Sequence, residues 1–369
     1  YSKPDANFIW TITSGPKNTI LCGTGEPGAV FEIGKDKAEA IFTSEERHIR
    51  SITYDKKNGT FVGGGEKGIL YRRAAGEKNF RALFDSGHTE VTSIVLLDGY
   101  AYTASVSGAD ALLKEQKVPA KSKGSAPPAP SISVRSQLVR VTMQGASETL
   151  AGSNDEVIFA MTSNQKGEIV VTTGATGRDD PRGRIYTVEP KSRRIAMTYQ
   201  ADAKRITHLF AAENGNQYGV TGSTTTIFKV HNTLRKEGYF YSEPFDTQIH
   251  STFGNVEAFG LWPSGTKAEI SSRSGQSKTP DATWSAWSDE IRAPGKASTN
   301  LEPGRYLQVR LKLKGDGRKT PEVHRLRLAY LRQNLAPFIR DVTTLNKGIA
   351  LVAVPPMEKK SLGIGGDKS

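Results

Sequence analysis

The run Ile20-Leu21-Cys22-Gly23-Thr24-Gly25, followed by Gly28-Ala29-Val30-Phe31-Glu32-Ile33, is the first copy of a repeat from which the fold can be predicted. Each half is a short run rich in β-branched and apolar residues, and glycines end the first half where the chain must turn sharply. The pair returns as Thr60-Phe61-Val62-Gly63-Gly64-Gly65 and Gly68-Ile69-Leu70-Tyr71. The pattern predicts short strands in a repeating unit and almost no helix.

This pair supplies the second and third strands of each unit. An apolar strand precedes the pair, such as Phe8 to Ile12, and a more polar strand follows it, such as Ala38 to Thr43. Four strands in about 40 residues are typical of one blade of a β-propeller. The first strands should lie near the propeller axis. Five units are visible, with first strands that begin at Phe8, Ile49, Val91, Val157 and Ile206.

The sequence therefore predicts an all-β chain, a β-propeller of four-stranded antiparallel blades followed by a β-sandwich. Two alternatives stay open for the ring: five blades, or the C-terminal five blades of a six- or seven-bladed propeller. A missing blade is costly because ring closure removes exposed strand edges. The chain starts with Tyr1 and shows no charged-then-apolar leader, which favours a processed or truncated product.

The predicted boundaries are 1–238 for the propeller, 239–334 for the sandwich and 335–369 for a C-terminal extension or tail. Tyr239 to Tyr241 is the predicted closing strand of the fifth unit, where the period ends. The sandwich prediction rests on strict alternation in the run Leu307, Val309, Leu311 and Leu313, whose side chains should face one side. A Pro/Ser/Ala/Lys-rich insertion, 113–136, interrupts the third unit and is predicted to be a mobile or extended loop.

Loops between the second and third strands of a blade leave on the same face as the connections between blades. The insertion 113–136 and the smaller extension 174–183 should therefore lie on one face, and loops on a rigid scaffold are where binding residues concentrate. The alternative is that these insertions have no function and arose because surface loops tolerate changes in sequence and length. The candidate binding residues on this face are Glu26, His48, Glu66, His88, Asp155, Arg178, Asp179, Asp180, Arg182 and Arg205.

Two further candidates, Trp284 and Trp287, lie in the run Thr283-Trp284-Ser285-Ala286-Trp287-Ser288. In an extended segment their indoles share one face. Exposed, they would stack on a sugar ring or another planar ligand; buried, they belong to the core with their N–H groups bonded. In a small sandwich the core interpretation is favoured.

No catalytic or metal motif stands out. The six histidines are scattered, and the chain has neither a His-x-x-x-His pair nor a Gly-x-Ser-x-Gly elbow. The Gly23 to Gly28 run resembles a dinucleotide fingerprint but joins two strands, with no helix to hold a pyrophosphate. Asp179 and Asp180 lack the repeated acidic ligands of a calcium loop. We therefore expect no cofactor, no metal and no enzyme activity. The alternative is a hydrolase or lyase at the channel mouth, with His48, His88 and Asp155 as acid/base groups.

Composition excludes several classes of protein. The 369 residues are 36% hydrophobic and carry a net charge of +12, which excludes a disordered or collagen-like chain. No apolar run is long enough to span a bilayer. The basic residues are spread along alternating strands, so no specific nucleic-acid binding is predicted. The single cysteine, Cys22, forms no intramolecular disulfide and is expected to be buried.

The chain resembles bacterial extracytoplasmic β-propeller proteins that carry WD40-like or two-component-regulator propeller repeats and a C-terminal jelly-roll-like β-sandwich. The propeller similarity rests on strand order and on Gly-Thr-Gly-x-x-Gly-x-Val-Phe at residues 23–31, although no blade has the Trp-Asp dipeptide of true WD40 repeats. The sandwich similarity rests on motifs found in the family's order. These are Ser242-Glu243-Pro244-Phe245-Asp246, Arg273-Ser274-Gly275, the Trp284 to Ser288 run, Arg305-Tyr306-Leu307-Gln308, and Ala329-Tyr330 followed by Asn334-x-Ala336-Pro337.

This resemblance implies a periplasmic, cell-surface or secreted location, with a cytoplasmic location as the alternative. It also implies a binding or assembly role and supplies no catalytic residues. The expected partners are a protein or a cell-surface glycan, and the chain is expected to be part of a larger assembly.

Overall fold

The computed structural model describes residues 3–108, 135–175, 182–212, 216–222, 225–231, 233–298 and 300–333. The chain divides into two compact units, residues 1–231 and 232–369. Within the described ranges the regular structure is β-strand apart from one short 3₁₀ turn, Pro16–Asn18. The predicted insertion and tail lie outside these ranges, except that Arg135 and Ser136 begin a strand.

The first unit is a series of antiparallel sheets built from consecutive strands, which confirms the β-propeller prediction. Sheets 1 to 4 have four strands each. Their bounds are β1 Phe8–Ser14, β2 Ile20–Gly25, β3 Ala29–Ile33, β4 Ala38–Thr43; β5 Ile49–Asp55, β6 Gly59–Gly64, β7 Ile69–Arg73, β8 Arg81–Asp85; β9 Glu90–Leu97, β10 Tyr100–Ser107, β11 Arg135–Thr142, β12 Ser147–Ser153; and β13 Glu156–Ser163, β14 Ile169–Ala175, β15 Arg184–Glu189, β16 Arg194–Gln200. Sheet 5 has the described strands β17 Ile206–Ala211, β18 Gln217–Thr221 and β19 Ile227–Val230.

Each sheet packs against the next through apolar side chains of the next sheet's first strand. Ile49 and Ile52 of β5 lie in one buried cluster with Leu21 and Val30 of sheet 1. The same arrangement recurs from sheet 2 to sheet 3, from sheet 3 to sheet 4 and from sheet 4 to sheet 5. The core of this unit is therefore a set of sheet-to-sheet interfaces. Cys22 is buried as expected, and burial raises the pKa of its thiol.

The predicted closing strand of the fifth unit is wrong. Tyr239 to Tyr241 lies in β20, Glu237–Tyr241, which pairs with β25, Gly304–Lys314, of the second unit. The reason is side-chain chemistry: Tyr241 meets Trp287 edge-on at 5.9 Å, and the Lys312 ammonium lies 5.5 Å from the Tyr239 ring centre. These partners belong to the second unit, so the strand pairs there.

The second unit is built around one long strand, β21, Phe245–Leu261. The beginning of β21 pairs with β25, and the remainder pairs with β26, Glu322–Arg332. The other strands are β22 Lys267–Gly275, β23 Ile291–Ala293 and β24 Lys296–Ser298. Side chains of β21, β22 and β25 meet in one buried cluster, so the two parts of the sheet pack face to face. The predicted alternation in β25 is confirmed, since Leu307, Val309, Leu311 and Leu313 all join this cluster.

Candidate functional site

All five first strands of the propeller carry a β-bulge at the same position. In each strand the ladder register shifts around one unpaired residue. Bulges redirect side chains and are common next to functional sites. We call the five unpaired residues the bulge row: Trp10, Arg50, Thr92, Phe159 and Thr207.

Trp10 is the most exposed aromatic member of the bulge row, and it is held on three sides. The residue is 44% exposed. The Arg50 guanidinium lies 4.4 Å from the centre of the indole, Phe8 stacks on it at 5.7 Å, and its Nε1 donates to His48 Nδ1 at 3.2 Å. A tryptophan fixed by a cation, a ring and a hydrogen bond presents its free surface in one orientation.

Arg50 continues the row into the third sheet. Its Nε donates to Glu90 Oε2 at 3.1 Å, and both side chains are largely buried. Thr92 Oγ1 in turn donates to the Ile158 carbonyl, 3.0 Å away, at the start of sheet 4. These contacts place an aromatic ring, a cation and a carboxylate in sequence across neighbouring sheets.

Three predicted residues lie around Arg47, just before β5. The Arg47 guanidinium pairs with Glu26 at 2.5 Å, and its backbone N–H donates to Glu66 Oε2 at 3.1 Å. His48, the next residue, bridges to Gly25 at the end of β2. Glu26 has a left-handed backbone, φ 53°, and precedes a cis proline. The structure thus brings Glu26, His48 and Glu66 to one place, beside Trp10.

Of the other predicted residues, Arg205 lies at the position equivalent to His48, and the rest lie elsewhere in the first unit or outside the described part of the chain. Arg205 bridges to Gly174 as His48 does to Gly25. His88 Nδ1 lies 3.1 Å from Gln137 Nε2, and the Asp155 N–H donates to Ser153 Oγ at 3.1 Å. Arg182 is exposed. Arg178, Asp179 and Asp180 lie outside the described ranges.

Trp284 and Trp287 occupy different environments in the second unit. Trp284 is 7% exposed and its Nε1 donates to Ser277 Oγ at 2.9 Å, so its ring is not available to a ligand. Trp287 is half-buried, with the guanidinium groups of Arg273 and Arg310 4.6 Å and 4.9 Å from its ring centre. That indole therefore already has two cationic partners.

Several ionisable groups of the propeller face are engaged with one another or with ring N–H groups. Among the described residues, no group of three His, Cys, Asp or Glu side chains is placed to hold a metal ion. His48 Nδ1 already accepts the indole N–H, and the carboxylates of Glu26 and Glu90 are paired with arginines. No helix in the described ranges is long and apolar enough to cross a membrane.

Sequence reasoning missed the bulge row and the contacts of Trp10. The signal was present, because the five bulges fall in one recurring pattern: an apolar residue precedes the bulged residue, and another follows two positions after it. Aligned on it, the segments are Ile9-Trp10-Thr11-Ile12, Ile49-Arg50-Ser51-Ile52, Val91-Thr92-Ser93-Ile94, Ile158-Phe159-Ala160-Met161 and Ile206-Thr207-His208-Leu209.

Neither a protein-family model nor a curated protein matches the chain. Solved structures with a similar fold include a putative gluconolactonase, 9% identical with a TM-score of 0.43, over 89% of this chain and 92% of that chain. Another is the extracellular domain of a putative one-component system from B. thetaiotaomicron, 14% identical with a TM-score of 0.35, over 63% of this chain and 33% of that chain. A third is a nidogen/laminin complex, 11% identical with a TM-score of 0.39, over 55% and 70%. At these identities the similarity concerns the fold alone.

Proposed function

We propose that this chain is a non-enzymatic, extracytoplasmic interaction module whose propeller face binds a protein or a cell-surface glycan. The observation that carries the proposal is Trp10, an exposed indole held by Phe8, Arg50 and His48. Tryptophan and arginine are the residues most enriched at the energetic centres of protein interfaces. An indole face also stacks on sugar rings. The sequence resemblance to extracytoplasmic propeller proteins supports the proposed location.

The neighbouring charges suit a polar rim around this centre. The Arg47–Glu26 pair and the carboxylate of Glu66 surround His48 beside the indole. Exposed ion pairs contribute little affinity but discriminate between partners by charge. A partner should therefore cover Trp10 and meet both signs of charge around it.

The test compares Trp10→Ala with Tyr199→Ala, a similarly exposed aromatic on β16. Each variant and the unchanged chain are immobilised and probed with a glycan array and with an envelope extract from the source cells. We expect a specific ligand whose affinity falls at least tenfold, about 1.4 kcal/mol, with Trp10→Ala and is unchanged with Tyr199→Ala.

The same chain is screened against lactones, sugars and phosphoesters. Turnover that disappears in His48→Ala or His88→Ala would contradict the proposal and favour a hydrolase or lyase at the channel mouth. Binding that Trp10→Ala leaves unchanged would move the site elsewhere.

A further inference from the structure

The second unit carries cations and aromatic rings together on the outer face of one sheet. Tyr239 and Tyr241 of β20 lie directly opposite Lys312 and Arg310 of β25, and opposite residues of an antiparallel pair share a face. The intervening residue Leu311 points the other way, into the buried cluster. Each tyrosine therefore has a cation beside it on the neighbouring strand, and this ring–cation pair occurs twice along the sheet.

The two tyrosines form the open aromatic surface of this face. Tyr239 is 48% exposed and Tyr241 is 45% exposed. Their rings stack at 6.4 Å, with an angle of 24° between the ring planes. Trp287 meets Tyr241 edge-on at 5.9 Å, so three aromatic side chains lie side by side.

Arg273 of β22 has no carboxylate partner among the described residues. It lies opposite Gln308 of β25, and its Nε and Nη2 both donate to Gln308 Oε1, at 2.9 Å and 2.7 Å. Its guanidinium lies 4.6 Å from the ring centre of Trp287. Burial lowers the pKa of Arg273, Tyr241 opposes that shift, and Arg310 adds to it. A half-buried cation that meets only a neutral oxygen and aromatic rings favours the approach of an anion.

The neighbouring cations share few carboxylates. Arg310 Nη2 donates to Glu290 Oε1 at 3.2 Å. Lys312 Nζ lies 3.9 Å from Glu290 Oε2 and 3.8 Å from Glu237 Oε1. Together with Arg273, these cations outnumber the carboxylates that they contact, which leaves a net positive charge. We call Tyr239, Tyr241, Trp287, Arg273 and Arg310 the ring–arginine site.

We propose that the ring–arginine site binds an acidic polysaccharide, a chain of sugar rings that carry carboxylate groups. The C–H face of a sugar ring stacks on an exposed tyrosine, and guanidinium groups are strong partners for carboxylates. A polymer with a carboxylate on each ring matches the two ring–cation pairs of β20 and β25. The site lies in the second unit, so this inference goes beyond the role proposed for Trp10 in the first.

The test is binding of the full chain to polygalacturonate, alginate and hyaluronate, with methyl-esterified polygalacturonate as the matched neutral polymer. We expect the ester to bind about tenfold or more weakly than the acid, because it keeps the rings and loses the charge. Arg273→Gln should weaken binding of the acid by about tenfold or more. Arg292→Gln is the matched control: it removes one exposed cation from β23 on the same face and should change the affinity by less than about twofold.

Tyr239→Ala provides a second variant, since Tyr239 is half exposed and its loss leaves the Arg273–Gln308 contact in place. It should weaken binding by about fivefold or more, whereas Tyr199→Ala, a similarly exposed tyrosine of the first unit, should not. Denaturation midpoints of all variants separate lost binding from lost folding.

Three outcomes would overturn the proposal. One is no binding to any of the three acidic polymers, and another is an equal loss in Arg273→Gln and Arg292→Gln, which would indicate general attraction to a positive surface. The third is tighter binding of polyglutamate, which would favour an acidic protein partner. Trp10→Ala should leave binding of these polymers unchanged, so this site and the propeller face can fail separately.

Discussion

Two buried carboxylates organise the propeller at the level of single residues. Glu46 is almost fully buried and accepts the backbone N–H groups of Lys67 at 2.7 Å and Ile69 at 3.3 Å. The Tyr71 hydroxyl lies 3.5 Å from the same carboxylate. In sheet 4 the Tyr186 hydroxyl donates to Glu156 at 2.9 Å. A carboxylate before the first strand in sheet 2, and at its first residue in sheet 4, thus fixes the third strand of the same sheet.

The Tyr71 contact predicts a loss of stability at alkaline pH. Burial, followed by the charge of Glu46, raises the pKa of Tyr71 to about 12, whereas an unfolded tyrosine has a pKa of about 10. The folded chain therefore keeps a proton that the unfolded chain releases. The resulting stabilisation is complete below a pH of about 10 and is lost as the pH rises through about 12.

We expect Tyr71→Phe to remove one tyrosine from the high-pH end of the absorbance titration and to flatten the alkaline fall in unfolding free energy. Part of the alkaline decrease in unfolding free energy will remain, because burial and the charge of Glu156 also raise the pKa of Tyr186. Identical titrations for Tyr71→Phe and the unchanged chain would contradict the assignment.

Sequence reasoning found some of these residues and not others, for a physical reason. Glycines that end strands and the face that carries Glu26, His48 and Glu66 follow from the repeat. Glu46 and Tyr71 do not, because their contact depends on how a turn folds over a strand of its own sheet. Gly64 shows the coupling: a Cβ there would lie 2.2 Å from the Glu46 carboxyl group.

At the level of elements, the segment Trp284 to Ser288 runs along β22 and is fixed to it by its two serines. The N–H groups of Ser285 and Ser288 donate to the carbonyls of Ser274 and Ser272, each at 2.8 Å. In return, the serine hydroxyls accept the N–H groups of Ser274 and Ser272, each at 3.0 Å.

The packing of Trp284 on β22 requires a glycine. A Cβ at Gly275 would lie 2.5 Å from the Trp284 ring. We expect Gly275→Ala to destabilise the second unit by about 1–3 kcal/mol, because the buried indole must move. Gly238→Ala in β20 is the matched control, since a Cβ there has no neighbour within 4 Å and should change stability by less than about 0.5 kcal/mol.

Chemical denaturation of the two glycine variants measures the difference. Equal midpoints for Gly275→Ala and Gly238→Ala would show that Trp284 does not depend on this close approach.

The sequence predicts where the strands lie better than it predicts which strands pair with each other. Period and alternation identify Tyr239 to Tyr241 as a strand but do not say which sheet it joins. Its partners, Trp287 and Lys312, lie far along the sequence. The bulges were hidden for a different reason: one unpaired residue barely disturbs a pattern of alternating side chains, although five aligned copies reveal it.

At the level of the whole molecule, the pairing of β20 with β25 moves the boundary between the units to 231/232. We expect a fragment of residues 232–369 to unfold cooperatively and a fragment of residues 242–369, which lacks β20, to be less stable. The difference should exceed about 1 kcal/mol, because five backbone pairs and the Tyr241–Trp287 contact are lost.

Denaturant titration of both fragments tests this boundary. A fragment of residues 242–369 as stable as the longer one would show that β20 is dispensable to the second unit, as the assignment of Tyr239 to Tyr241 to the fifth propeller unit implied. The repeat predicted the architecture of the first unit well, since every blade uses the same local rules. It could not predict which surfaces remain uncovered, because that depends on how the sheets meet around the whole series.

The serine contacts along β22 have a consequence for solubility. Three residues of β22 pair with β23, and beyond them this edge of β22 would expose free N–H and C=O groups to a β-strand of another molecule. Ser285 and Ser288 occupy those groups between Ser272 and Ser274, so the segment acts as a cap against intermolecular strand addition. Replacing both serines with alanine would keep the two backbone N–H donors of this segment but free the N–H groups of Ser272 and Ser274 for a strand of another molecule.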